Sequence, residues 1–80
     1  MLKILTKNGT EYRIYVDTDT KQLLFEGISR TIAITELKNI SVGERPTIKG
    51  YFINPFTKAP QKSKGVYSLT TAEISDIISE

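Results

Sequence analysis

Apolar and polar positions alternate early in the chain. Tyr12, Ile14 and Val16 fall on one parity and Arg13 and Tyr15 on the other, the period of a half-buried strand. The apolar run 2–6 precedes it, and Lys7-Asn8-Gly9-Thr10 separates the two. Asn-Gly between strand-like runs predicts a tight hairpin of type I′, with both central residues at positive φ. Asp17-Thr18-Asp19-Thr20 predicts a second turn, because short Asp and Thr side chains bond their own backbone. A third strand follows over 21–26. Leu23 and Phe25 share one face with Leu24 between them, so this strand is expected to be covered on both sides.

Ile28, Ile32 and Ile34 continue the alternation, which Arg30 interrupts; the pattern predicts a strand over 28–34 and a single helical turn at Thr35-Glu36-Leu37-Lys38. Val42-Gly43-Glu44-Arg45 reads as a turn. A strand over 47–53 places Ile48 and Phe52 on one face and Tyr51 and Ile53 on the other. Asn54-Pro55 ends it, and 54–63 has no periodicity, predicting a long hairpin loop before a sixth strand over 65–71. The last ten residues carry two patterns. Thr70 with Glu73 fits a capping box, and Ile74, Ile77 and Ile78 fall at helical spacing, predicting a short C-terminal helix over 71–79. Extension of the sixth strand is the alternative.

The whole, residues 1–80, is therefore expected to be one mainly β domain: a small six-stranded barrel or bent antiparallel sheet, SH3-like or OB-like in shape. That likeness concerns shape and carries no function. Composition agrees. Ile occurs 11 times and Thr 10 times against 3 Ala, and β-branched side chains suit a pleated surface. Leu, Ile, Val and Phe total 23 of 80 residues, enough for a core, though a small one that makes self-association into a homo-oligomer an expectation. No apolar run approaches bilayer-spanning length, and the chain starts without a signal-peptide pattern, so a cytoplasmic protein without membrane association is expected.

The absence of Cys and His has sharper consequences. Disulfides, Cys/His zinc sites and Ser-His or Cys-His nucleophilic pairs are all excluded. Asp17 and Asp19 do not continue into a calcium loop, since Lys21 stands where a further oxygen ligand is needed. Gly43, Gly50 and Gly65 form no phosphate-cradling motif. No metal, cofactor or catalytic residue is assigned, and a non-enzymatic role is expected.

Charge is distributed unevenly. Residues 1–44 hold six basic and six acidic side chains, and 73–80 hold three acids. Residues 45–72 hold Arg45, Lys49, Lys58, Lys62 and Lys64 with no acid, together with Tyr51, Phe52, Phe56 and Tyr67. Lysines neutralise phosphates and aromatic faces stack bases, so this combination suits single-stranded nucleic acid or a nucleotide. Alternation assigns Phe52 and Tyr67 to the core. The candidate ligand-binding set is therefore Arg45, Lys49, Tyr51, Phe56, Lys58, Lys62 and Lys64.

In length and in its Ile/Lys/Thr-rich composition lacking Cys, His and Trp, the chain resembles the short accessory proteins of phages and mobile elements in low-GC bacteria. That resemblance implies a module that blocks or sequesters a host component without catalysis. The first expectation is a module binding a phosphate-bearing ligand through its basic and aromatic 45–67 region. The alternatives are an inhibitor docking on a host protein by a sheet edge and the 54–64 loop, and a structural subunit of an assembly.

Overall fold

The computed structural model describes residues 1–28 and 30–80. It contains seven strands: β1 (Leu2–Thr6), β2 (Glu11–Val16), β3 (Leu23–Glu26), β4 (Thr31–Lys38), β5 (Thr47–Phe52), β6 (Tyr67–Thr70) and β7 (Ile74–Ser79). All neighbours are antiparallel, in one sheet of order β6-β5-β4-β3-β2-β1-β7. A bent antiparallel sheet is thus correct, and a closed barrel is not: β6 and β7 are the terminal strands and do not pair with each other, although Ile74 at the start of β7 exchanges backbone hydrogen bonds with Gly43 and Glu44 at 2.9 and 2.8 Å. Among the described residues the only helix is a 3-10 turn, Lys62–Lys64.

The strand register explains the core. Leu2, Ile14, Phe25, Ile32 and Phe52 face one another in sequence across five strands. Ile4, Ile14, Phe25, Ile32, Ile48 and Ile74 are buried together on this inner face. Bending carries β6 round until Tyr67 and Leu69 look across at Tyr12 and Phe25. The outer face has a shorter apolar row, Tyr15–Leu24–Ala33–Tyr51, in which Leu24 and Ala33 are buried. β3 is covered on both sides, as its unbroken apolar run predicts.

Two helical expectations fail for the same reason. At β4 the register shifts between Ile34 and Glu36, so Ile34 faces Gly50 and Leu37 faces Ile48. At β7 it shifts opposite Leu5/Thr6, so Ile77 faces Ile4 and Ile74 faces Thr6. Each bulge inserts one residue, Thr35 or Ser75, and turns a spacing of two into three along the inner face. Spacing of three mimics a helix. The turn at 35–38 and the C-terminal helix are both β-strand. Glu73, the supposed capping partner, instead accepts the Lys7 amide on its carbonyl at 2.9 Å and pairs with the Lys7 ammonium through its carboxylate.

Other departures are local. Only Gly9 has positive φ in the first hairpin, at 85°, so Asn8 does not form half of a type I′ turn. The Gly9 amide donates to the Thr6 carbonyl at 3.0 Å and the Asn8 side-chain oxygen accepts from the Thr10 amide at 3.2 Å, the arrangement of a turn closed by a glycine bulge. Of the predicted 28–34 strand, 31–34 is strand, Ile28 and Arg30 are not, and position 29 lies outside the described residues. The Asp17 turn forms as expected, with the Asp17 carboxylate accepting the Asp19 and Thr20 amides at 2.8 and 3.2 Å.

Candidate functional site

The acid-free 45–72 stretch does not gather into one surface. Arg45 precedes β5, and its Nε donates to the Thr71 carbonyl at 3.2 Å. The 54–64 loop leaves the other end of β5, roughly 20 Å away at ~3.4 Å per residue. Lys49 is on the outer face of β5 and pairs with Glu36 at 3.4 Å. The two lysines beside Glu36, Lys38 first and then Lys49, hold its carboxyl below the usual glutamate value. Tyr51 is half-buried on the same outer face, opposite Ala33. Lys58 has φ 58° and lines a hollow on the outer face together with Asp17 and Leu24.

The 54–61 segment is a built loop. Asn54 Oδ1 accepts the Phe56 amide at 2.8 Å and the Thr57 amide at 3.3 Å, and the Asn54 carbonyl accepts the Lys58 amide at 2.8 Å. Ile53 bridges to Pro60, and the Gln61 amide donates to the Phe52 carbonyl at 2.7 Å. These bonds hold Phe56 in the open, 93% exposed. They also seat the Lys62–Lys64 turn beside the end of β5. Among the described residues neither of those two lysines is in an ion pair.

That same end of the sheet holds a group the charge pattern misses. Arg30 precedes β4, and its carbonyl accepts the Gly27 amide at 2.9 Å. Its guanidinium carbon lies 5.3 Å from the Phe52 ring centre and 5.8 Å from that of Tyr67. Those two rings pack at 4.5 Å, and Tyr12 stacks on Phe25 at 5.0 Å nearby. Between the two pairs is a cleft of about 190 Å³, lined by Tyr12, Phe25, Arg30, Ile32 and Tyr67 among others. A second hollow of about 200 Å³ lies against Arg30, Phe52, Ile53 and Pro55.

The chemistry of this corner follows from the guanidinium. A guanidinium over aromatic rings is worth ~0.5–2 kcal/mol, and it carries a planar fork of N–H donors. Among the described residues Arg13 and Arg45 spend donors on protein acceptors, whereas no such bond or ion pair involves Arg30. An oxyanion at the cleft mouth would meet those donors. The sequence does contain the signal: Arg30 shares parity with Ile28, Ile32 and Ile34, placing a cation on the inner side of an apolar alternation.

Among the described residues no group of three or more acids could hold a metal ion, and no helix is long and apolar enough to cross a membrane. No protein-family model matches this chain, and neither a curated protein nor a solved structure resembles it significantly.

Proposed function

We propose that this chain is a non-enzymatic binding module for a phosphate-bearing ligand with a flat ring. The ring enters the inner-face cleft beside Tyr12, Phe25 and Tyr67, and the phosphate meets Arg30. Lys62 and Lys64 supply further positive charge from the neighbouring 3-10 turn. Arg45 and Lys49 stand apart from this corner and are left out of the site. The reading rests on one observation: a guanidinium 5.3 and 5.8 Å from two ring centres, on a residue that lines a cleft, with no acidic partner among the described residues. At about 190 Å³ the cleft is smaller than the ~300 Å³ of a small-molecule site, so it suits one ring with the rest of the ligand outside.

The test is a titration of 15N-labelled protein with nucleoside monophosphates at low salt. Resonances of Arg30 and of the residues around Tyr12 and Tyr67 should shift, and affinity should fall as salt rises. Arg30→Met keeps an apolar stem over the rings but removes the charge. It should weaken binding roughly tenfold, about 1.4 kcal/mol, with little change in melting temperature. Absence of any shift with all four common nucleotides would refute the reading.

A second reading, docking on a protein, is favoured by a different observation. Phe56 (93%), Ile28 (87%) and Val66 (55%) are large apolar residues left open on loops near the ends of β3, β5 and β6. β6 itself is a free edge to which an added strand could pair. This reading predicts a stoichiometric complex that Phe56→Ala weakens and Arg30→Met does not.

A further inference from the structure

The ring-sized cleft is not alone, and its neighbour bears on what the ligand is. Arg30 is a wall of both hollows. Tyr12 and Phe25 line the first, and Phe52, Ile53 and Pro55 line the second. Both are near 200 Å³, and neither is large enough for a whole nucleotide. Arg30, whose guanidinium makes no protein hydrogen bond among the described residues, thus borders two apolar, aromatic-walled spaces. This layout of ring, anion and ring is the repeat of a nucleic-acid strand: two successive bases joined through one phosphate.

On the reading above, we propose that the ligand is a single strand of nucleic acid. One base occupies the cleft by Tyr12 and Phe25, and the next occupies the hollow by Phe52 and Pro55. The linking phosphate sits on the Arg30 edge. A duplex is unsuited, because its bases are already paired and stacked and cannot enter separate recesses. Lys62 and Lys64, beside the end of β5, meet phosphates further along the strand.

The test compares thymidine monophosphate, the dithymidylate and the tetrathymidylate by the same NMR titration, with wild type and with Pro55→Glu. Base stacking is worth ~1–3 kcal/mol per base, so the dithymidylate should bind at least about fivefold tighter than the monophosphate. Pro55→Glu places a negative charge in the second hollow from an exposed loop. Because Arg30 borders the same hollow, both ligands weaken, and the variant should abolish the gain of the dithymidylate over the monophosphate measured with that same variant. If the monophosphate binds and the dithymidylate is no tighter, the strand inference falls and the ring-and-phosphate reading stands. If the dithymidylate gains affinity but Pro55→Glu leaves that gain intact, the second base lies elsewhere and the inference again falls. If none of the three probes binds, both readings fall.

Discussion

Gly50 is where the bend of the sheet can be broken. It lies on the inner face of β5, between Ile34 of β4 and Tyr67 of β6. A Cβ there would be 2.0 Å from the Ala33 carbonyl oxygen and 2.7 Å from Ile32 Cγ2. Ordinary contact begins near 3.4 Å, so β4 and β5 would have to part by roughly 1.4 Å. Separation on that scale breaks adjacent ladder hydrogen bonds, whose donor–acceptor distances are ~2.9 Å. Losing two at ~1 kcal/mol each, with overpacking of ~1–3 kcal/mol, gives a loss of about 3–5 kcal/mol for Gly50→Ala. An 80-residue chain has a total stability of ~4–12 kcal/mol. At ~4–8 °C per kcal/mol, the melting temperature should fall by about 12 °C or more. Thermal unfolding followed by far-UV circular dichroism measures this. Gly27→Ala is the control, because its Cβ would meet the Tyr12 ring at 3.4 Å and the Arg30 carbonyl oxygen at 3.8 Å, both ordinary contacts. A Gly50→Ala protein that melts within a few degrees of wild type would refute the close approach of β4 and β5.

Ile74→Ala removes a fully buried side chain from the start of β7 and should cost ~2–5 kcal/mol in a urea titration, which a solvent-facing residue would not. The lysines beside Glu36 hold its carboxyl below the ordinary value, so its contribution is present above that value and is lost as pH falls through the lowered one. Glu36→Gln should therefore lower the neutral melting temperature slightly and flatten part of the acid-side decline, so that variant and wild type converge at low pH. Lys58 adopts φ 58°, a left-handed conformation that costs a side-chain-bearing residue ~1 kcal/mol. Lys58→Gly should hold or raise the melting temperature, and a marked fall would contradict the loop conformation.

The local signals that proved legible are those carried by one residue's own chemistry. Asp17 bonds its own turn, Gly43 takes φ 90° after Val42, and Leu24 and Phe25 are buried on opposite faces of β3, while Leu23 at its start is exposed. What misled were the two bulges. Periodicity assumes a constant step along an element, and one extra residue at Thr35 or Ser75 turns a strand's inner-face spacing into a helix-like one. Nothing local distinguishes the two, because the choice depends on the Gly50 and Ile4 partners across the sheet. The charge pattern along the chain did not translate into one surface. Linear charge counting grouped Lys49 with the loop lysines, although its partner Glu36 comes from the preceding strand. It passed over Arg30, whose neighbours in sequence are balanced in charge and whose ring partners Phe52 and Tyr67 lie more than twenty residues away.

The bulge at Ser75 has a second effect. An open sheet presents two rows of free backbone groups, the usual route by which β proteins recruit their own copies into fibrous aggregates. Here β6 is only four residues long, and β7, the longer rim, has its hydrogen-bonding rhythm interrupted one residue after it begins, with the carboxylate of Asp76 immediately beyond. A second flat strand laid along β7 would find Ile74 already bonded to Gly43 and Glu44 and would lose step at the bulge that follows. Smoothing that kink by deleting Ser75 would restore an even ladder and, with it, the liability that the irregular rim suppresses.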